Sequence, residues 1–333
     1  MKETPCLRIF KAYMLPIAVL TGAAVFFLFE KVPLLYPYGD PLAAAVHAVL
    51  PYLIFAMLFF AFLKIKVSDM KLNFWHVFLA VLEVACCVAI ALYLYFWWGE
   101  ADHVIWQGML ACFAAPTAAA VSVVSAKLGG SVSKSTSYIM ISNTATAVMV
   151  PLVFPLARGS LDFNFLPEFL EIAMSTFPML ILPLVVALLL KRFAPVFAQE
   201  LTVKIRDLSF YIFCFTLTSV AGIAVAKIYN SDLGSAAMVN LCLVGMVSTA
   251  FHFALGKGVG HPAGYRITAG QCFGQKNMVF GIYIATAYLS NAGAIATGWY
   301  MLWQNVVNSY QIYHKVKLDR QCEMRGEKPY EET

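Results

Sequence analysis

Apolar runs of about 20 residues recur along the whole chain, and short polar clusters separate them. A helix of about 20 residues spans the roughly 30 Å hydrocarbon core of a bilayer, so this rhythm is typical of a chain that crosses a membrane repeatedly. The composition agrees, because 12% of the 333 residues are charged, whereas soluble domains carry about 25%. The mean hydropathy is +0.75. These features exclude an ordinary soluble domain.

We predict an all-α polytopic membrane protein with ten transmembrane helices. Backbone groups in hydrocarbon need partners within their own segment, and the alternating pattern of a membrane barrel is absent. The expected spans are Ala12–Phe29, Leu42–Leu63, Phe74–Trp98, Val104–Ala126, Ser137–Leu156, Phe169–Leu190, Leu208–Ala226, Ala236–Leu255, Ala263–Leu289 and Ile295–Tyr313. Because nine spans follow the first, we expect that span to be retained rather than cleaved as a signal peptide.

The distribution of basic residues orients the ten predicted spans. On this layout, 19 of the 23 lysines and arginines fall on the side that receives both termini, 3 fall on the opposite side, and Lys276 falls within a span. Cytoplasmic loops are enriched in Lys and Arg, so the basic side is expected to be cytoplasmic. We therefore expect a multi-pass protein of the cell membrane, with one transmembrane domain over 1–314 and a cytoplasmic polar tail over 315–333.

Several functional classes lack support in the sequence. It contains no phosphate loop, no nucleophile elbow and no HExxH motif, so an enzyme is not expected. The net charge of +5 follows from the membrane topology and gives no reason to expect a nucleic-acid partner. The eight cysteines show no metal-type CxxC spacing, and most are expected to pack as small apolar side chains, with Cys272 left open. We expect neither a cofactor nor a metal site.

The fourth span contains a proline near its middle. Pro116 removes a helical N–H and clashes with the preceding turn, and small or hydroxylated residues, including Thr117 and Ser122, surround it. One interpretation is a kink in an ordinary span. The other is an interrupted helix whose freed carbonyls face a cavity.

The ninth span carries an unusual polar cluster. Gly270 and Gly274 are expected to loosen this helix. Four polar side chains are predicted to lie at membrane depth, namely Gln271, Gln275, Lys276 and Asn277. A lysine at the bilayer centre is costly by several kcal/mol unless it is paired or hydrated. The cluster therefore favours a functional site.

The two unusual spans occupy equivalent positions. Each is the fourth helix of a five-helix half, and the halves run over about 10–160 and 165–314. Because five is odd, the second half is inverted relative to the first. Interrupted helices at matching positions of inverted repeats are typical of the transport site of a secondary transporter. We therefore predict interrupted fourth and ninth helices that cross.

Around these spans the chain resembles the bile acid:sodium symporter superfamily, whose members move bile acids, pantoate and other organic anions. Leu53–Met70 resembles the family's second helix and basic loop, and Pro151 with Pro155 resembles the paired prolines of its fifth helix. Trp303-Gln-Asn305 resembles the Trp-His-Asn of the tenth helix. Gly274-Gln-Lys-Asn277 lies over the Gly-x-Gln-Asn of the ninth. The resemblance implies a panel of helices that rocks against a core of crossing, broken helices.

The chain departs from the family at the residues that the resemblance implies as sodium ligands. A glutamate is replaced by Cys272, a glutamine by Lys276, a Ser-Asn pair by Val121-Ser122, two hydroxyl residues by Ile139 and Asn143, and a third-helix glutamine by Glu83. Sodium needs a cage of oxygen atoms, which Val, Ile and Cys side chains cannot supply. These changes indicate that sodium coordination has been lost.

The family fold would bring Glu83 and Lys276 to one of these sites. Our hypothesis is that the ammonium of Lys276 stands where an ion would bind. Such a pair titrates as a unit and could carry protons if its access alternates. Two other interpretations remain open: a permanent structural ion pair, and a Lys276 that faces the cavity and attracts a substrate carboxylate.

Other polar residues carry weaker expectations. Asn143, Thr144 and Thr146 in the fifth span are expected to face the crossing helices, or to bond neighbouring helices as Ser, Thr and Asn often do. His252 is expected near the cytoplasmic end of the eighth span, as an interfacial or capping residue.

The sequence predicts a sodium-independent carrier of a small organic anion, either proton-coupled or facilitative. The alternatives are a non-transporting membrane sensor or receptor with the same fold, and a sodium-coupled symporter with a shifted ion site. The identity of the substrate is beyond the sequence.

Overall fold

The computed structural model describes residues 5–64, 72–97, 100–158, 164–204, 206–327 and 330–332. The end of the Leu53–Met70 segment and Trp98 lie outside these ranges. The helices are α1 Pro5–Lys31, α2 Gly39–Leu63, α3 Phe74–Phe96, α4 Glu100–Ala114, α5 Val121–Leu128, α6 Val132–Arg158, α7 Phe165–Leu180, α8 Leu182–Phe193, α9 Pro195–Lys204, α10 Arg206–Tyr229, α11 Ser235–Gly260, α12 Arg266–Gly274, α13 Met278–Tyr288 and α14 Asn291–Arg325. Two 3-10 turns, Tyr36–Tyr38 and His261–Ala263, precede α2 and follow α11.

Among the described residues, five helical segments are long and apolar enough to cross a membrane. They are Tyr36–Leu63, Phe74–Phe96, Val132–Ala157, Phe165–Phe193 and Ser235–Ala263. Three shorter apolar helical segments accompany them, namely His103–Ala114, Cys214–Tyr229 and Met278–Tyr288. The protein is therefore an all-helical, multi-pass membrane protein.

Two predicted spans are interrupted by non-helical segments of several residues, whereas the sixth is divided only at Ile181, between α7 and α8. The fourth span forms α4 and α5, which are separated at residues 115–120 around Pro116. The ninth span forms α12 and α13, which are separated at Gln275–Asn277. At a rise of about 1.5 Å per residue, α12 is only about 14 Å long and cannot cross a bilayer alone. The predicted interruptions are thus present in both spans.

The helices pack in two groups. In the first, α2 contacts α7, α8 and α10, and α10 also packs on α1. In the second, α11 packs on α12 and α14, α4 packs on α3 and α14, and α3 packs on α6. The groups meet where α6 packs on α7 and where α10 contacts α13 and α14. Both interrupted spans belong to the second group.

The last long helix does not stop at the predicted start of the tail. α14 runs from Asn291 to Arg325 without a break and ends at Gly326, whose φ of 70° is left-handed. Its length is about 52 Å at 1.5 Å per residue, which exceeds the thickness of the hydrocarbon core. Much of the segment after 314 is therefore a continuation of α14.

Residues 330–332 fold back onto the second group and form what we call the C-terminal clasp. The carboxylate of buried Glu332 accepts hydrogen bonds from the backbone N–H groups of Ile267 (2.5 Å) and Thr268 (3.0 Å), and from the Thr268 hydroxyl (2.5 Å). Its own N–H donates to the carbonyl of Gly129 at 2.7 Å. The clasp therefore joins the N-terminus of α12 to the turn that follows α5.

The clasp uses two general properties of helix ends. The first N–H groups of a helix lack partners within it, and a carboxylate placed there also interacts favourably with the helix dipole. Gly129 has a φ of 85°, and a Cβ there would lie 2.5 Å from the carbonyl oxygen of Tyr330. That carbonyl also accepts a hydrogen bond from Lys315 Nζ on α14 at 2.9 Å. A side chain at position 129 would therefore prevent the clasp from reaching the turn after α5, so a glycine is needed there.

We expect Glu332→Gln to release the N-terminus of α12, because a neutral amide loses the charge–dipole attraction and one of the carboxylate acceptors. A loss of about 1.4 kcal/mol in the stability of this helix end would speed hydrogen exchange of its protected amides about tenfold. Hydrogen–deuterium exchange of a peptide covering 265–275 measures this. Glu331→Gln is the matched control, since Glu331 is exposed. Equal exchange in the two variants would contradict the role of the clasp.

Candidate functional site

The two interruptions lie against each other and pair through their backbones. Thr117 and Lys276 form an isolated antiparallel β-bridge. The N–H of Ala118 donates to the carbonyl of Gln275 at 2.9 Å, and the N–H of Asn277 donates to the carbonyl of Pro116 at 2.6 Å. Backbone groups that a broken helix leaves open must be satisfied in an apolar interior. Each interruption therefore completes the hydrogen bonding of the other.

Side chains satisfy further groups of the first interruption. The N–H of Thr117 donates to the hydroxyl of Ser142 on α6 at 2.9 Å. The Thr117 hydroxyl donates to the carbonyl of Cys272, near the end of α12, at 2.8 Å. Pro116 and Thr117 are both buried. The first interruption is thus fixed from α6 and from α12.

The second interruption is held mainly from α14. Gln304 accepts a hydrogen bond from the N–H of Lys276 at 3.0 Å, and its amide nitrogen lies 3.3 Å from the Lys276 carbonyl. The hydroxyl of Tyr300 donates to the carbonyl of Gly274 at 2.8 Å. Asn277 accepts from the N–H of Phe280 at 3.3 Å and so caps α13. The extended conformation at Gln275 and this cap end one helix and begin the next.

A buried ion pair occupies this crossing. Lys276 Nζ lies 2.7 Å from Glu83 Oε1, and the two side chains are 0% and 5% exposed. Among the described residues, Glu83 Oε2 has no hydrogen-bond partner. Lys276 and Glu83 are therefore paired in this structure. The pair joins α3 to the second interruption.

Apolar and aromatic side chains surround the pair. Lys276 Nζ lies 5.1 Å from the centre of the Phe273 ring, close enough for a cation–π contact. Cys87, one turn after Glu83 on α3, and Tyr138 are fully buried. In such surroundings the attraction between two charges is strong, and a single unpaired charge is very unfavourable. The ammonium and the carboxylate therefore compensate each other, and the pair carries no net charge.

Three of the positions at which the resemblance implies sodium ligands carry side chains without oxygen atoms. Val121, Ile139 and Cys272 are buried in one apolar cluster. Ser122 is half-buried. Asn143 is buried, and its amide group donates to the carbonyl of Ile139 on its own helix at 2.7 Å, while its Oδ1 has no partner among the described residues.

Two glutamines of the ninth span are buried and incompletely bonded. Gln271 Nε2 donates to Gln311 Oε1 on α14 at 3.1 Å. Within the described part of the chain, the Oε1 atoms of Gln271 and Gln275 have no hydrogen-bond partner. Buried amide oxygens of this kind are available to bind a donor or a water.

The glycines predicted to loosen the ninth span lie at close helix contacts. A Cβ on Gly274 would lie 2.4 Å from Cγ of Phe253 on α11. A Cβ on Gly270 would lie 2.5 Å from Cγ of Lys257, also on α11. Both glycines thus let α11 approach α12, which is the usual role of small residues between membrane helices.

Asn143 and Thr146 are buried, whereas Thr144 is exposed, because neighbouring residues of a helix point about 100° apart. The expectation for His252 is wrong. His252 is fully buried rather than interfacial. Its ring centre lies 4.3 Å from that of Phe113 and 4.9 Å from that of Phe273.

The structure also adds residues that sequence patterns did not single out as site residues. Ser142, Tyr300 and Gln304 each hold a backbone group of an interruption. His252 Nδ1 donates to the carbonyl of Ser248 at 2.7 Å, and its Nε2 has no partner among the described residues. Of these residues, only Gln304 could have been noticed in the sequence, because it lies in Trp303-Gln-Asn305, the segment that resembles the family's tenth helix.

Removing one member of the ion pair is expected to destabilise the protein more than removing both. Lys276→Met leaves Glu83 buried without a counter-charge, and such a change costs about 3–5 kcal/mol. Adding Glu83→Gln should recover most of that loss. Thermal unfolding in detergent, followed by tryptophan fluorescence, measures both variants. The exposed pair Lys204–Glu200, with atoms 3.7 Å apart, is the control and should contribute less than about 1 kcal/mol.

We expect Gly274→Ala to lower the unfolding temperature, because its methyl group would overlap the Phe253 ring and force α11 away from α12. A cost of about 1–3 kcal/mol is typical of such overpacking. Gly258→Ala on α11 is the control, since no atom lies within 4 Å of a Cβ placed there. Equal unfolding temperatures would show that the contact is not tight.

Comparison with known proteins identifies the family of this chain. A family model described as the Sodium Bile acid symporter family matches residues 40–231, which include Glu83 and the first interruption. The second interruption lies after the matched region. A search of curated proteins finds no match. The matched region covers more than half of the 333 residues, and the chain therefore belongs to the Sodium Bile acid symporter family.

Proposed function

We propose that this protein is a secondary transporter of a small organic anion that works by alternating access without sodium coupling. The observation that carries the proposal is the Glu83–Lys276 ion pair at the crossing of two interrupted helices. Membership of a transporter family supports a membrane transporter with a small-molecule substrate. The anionic substrate, the coupling and the site residues are parts of the proposal.

The proposed architecture has ten spans arranged as two inverted five-helix repeats. It assigns α4 with α5 to the fourth span and α12 with α13 to the ninth, and it places both termini in the cytoplasm of a cell-membrane protein. The asymmetric distribution of lysines and arginines supports this orientation. The two packed groups of helices would then move against each other, with the interruptions in the moving group.

The absence of sodium coupling follows from charge and from ligand chemistry. The Lys276 ammonium already neutralises the Glu83 carboxylate, so a cation at this position would have to displace the ammonium to reach a negative charge. Val121, Ile139 and Cys272 offer no carboxylate, hydroxyl or amide oxygen from their side chains. A sodium ion would therefore meet a pair that is already neutral and an incomplete set of ligands.

The ion pair suggests how an anion could be bound. Protonation of Glu83 would free the Lys276 ammonium to bind a substrate carboxylate, and loss of that proton would restore the pair and release the anion. This scheme predicts proton-coupled uptake. A pair that never opens predicts facilitative uptake with no dependence on pH from this site.

The direct test is uptake of labelled organic carboxylates into proteoliposomes, with sodium or choline as the cation and over pH 5.5–8. We expect uptake that is unchanged when choline replaces sodium. In the proton-coupled scheme, Glu83→Gln removes the pH dependence, and Lys276→Gln lowers uptake at least tenfold. Uptake and pH dependence that survive in the double variant would end the coupling hypothesis.

Two other outcomes would favour the alternatives. Uptake that requires sodium would indicate a symporter with a shifted ion site. Binding of a carboxylate without uptake would indicate a sensor or receptor that keeps the transporter fold.

A further inference from the structure

A cavity of about 720 Å³ lies outside the crossing, between α11, α12 and α14. Its apolar lining includes Ala250 and Phe253 of α11 and Val307 of α14. Its polar lining includes Lys257, Arg266 and Gln311. We call it the α11–α14 cavity.

The charged lining of the cavity is entirely basic. Lys257 and Arg266 both line it, His261 lies beside them, and the lining contains no acidic residue. The charges of Lys257 and Arg266 repel each other. Within the described ranges, neither side chain forms an ion pair or a hydrogen bond. Two neighbouring cations without a counter-charge favour an anionic ligand.

The position of Lys257 is set by its packing. Its aliphatic stem lies across α12 at Gly270, where a Cβ would be 2.5 Å from Lys257 Cγ and 3.3 Å from Cε. The side chain is half-buried. A lysine held in this way loses less side-chain entropy on binding than a freely moving one.

The cavity has an apolar end and a basic end along the same helix. Ala250 and Lys257 are seven residues apart on α11, which corresponds to about 10 Å. α11 ends at Gly260, and the 3-10 turn that contains His261 follows it. The basic end thus lies where the helix leaves its apolar segment.

We propose that the α11–α14 cavity binds an anionic phospholipid, with the phosphate between Lys257 and Arg266 and an acyl chain along α11 and α14. Basic pockets between membrane helices on the cytoplasmic side bind anionic headgroups. The apolar end requires a ligand with a hydrocarbon chain as well as a negative charge. The cytoplasmic placement rests on the topology in the proposed function.

This lipid would contact the helix that carries the second interruption. Gln311 lines the cavity and accepts a hydrogen bond from Gln271 of α12. Arg266 is the first residue of α12. A bound phospholipid would therefore hold α12 against α11 and α14.

Native mass spectrometry of the detergent-solubilised protein tests the proposal with phosphatidylglycerol and phosphatidylcholine. We expect phosphatidylglycerol to bind at least tenfold more tightly. Lys257→Gln and Arg266→Gln should each weaken its binding about fivefold. Arg320→Gln, which removes an exposed cation of α14 outside the cavity, is the matched control and should leave binding unchanged.

Three results would overturn the proposal: equal binding of the two lipids, an equal loss of binding in the Arg320→Gln control, or saturation of the site by inorganic phosphate alone. The last would indicate an anion site that does not use the hydrocarbon chain. Lipid binding is measured without uptake, so a failure of the transport proposal would leave this result standing. Conversely, normal uptake with no lipid preference would reject only the lipid site.

Discussion

The backbone hydrogen bonds between the two interrupted helices are the constraint on which the rest of this site depends. A helix broken in an apolar environment exposes N–H and C=O groups, and each unsatisfied group costs several kcal/mol. Here the interruptions satisfy each other through the bonds between Ala118 and Gln275 and between Asn277 and Pro116. The four half-helices must therefore meet at one place, whatever the conformation of the loops that connect them. These half-helices are α4, α5, α12 and α13.

The buried ion pair is a consequence of that meeting. Lys276 lies in the non-helical segment between α12 and α13. Its backbone N–H and carbonyl are hydrogen-bonded to Gln304, which fixes the position from which its side chain extends. Glu83 reaches it from α3. A metal ion would bring several ligands together from different helices, whereas an ammonium requires only one carboxylate and carries its own attachment to the chain. The positive charge at this crossing is therefore covalently part of the protein.

Much of the fold could be predicted from the sequence, because its strongest signals are local. The apolar runs marked most helices within a few residues, and Pro116 and the polar cluster of Gln275–Asn277 marked the two interruptions. The pairing of Glu83 with Lys276 was one of several interpretations, and it depended on the resemblance to a family whose fold would bring these two positions together. Local signals do not mark every boundary: the continuation of α14 past residue 314 is not visible in hydropathy, because a helix can continue in water.

Most of what the sequence did not predict depends on contacts between distant residues. Ser142, Tyr300 and Gln304 are ordinary polar residues of membrane helices until a free backbone group is placed beside them. The exposure of Thr144 and the burial of His252 could not be predicted without knowing which face of each helix is covered. Gly270 and Gly274 looked like points of flexibility, and only the neighbouring α11 shows that they are points of close contact.

The hydrogen bonds between the two interruptions also have a consequence for the order in which the site can form during synthesis of the chain. Thr117 and Cys272, which are hydrogen-bonded in the finished protein, are 155 residues apart in the sequence. A ribosome adds roughly 5–20 residues per second, so the first interruption is made on the order of ten seconds before its partner. Over that interval the first half of the protein is an incomplete membrane protein, with a broken helix whose backbone must be hydrated or held by the insertion machinery. The backbone partners of the first interruption become available only once the segment containing Gln275–Asn277 has been made.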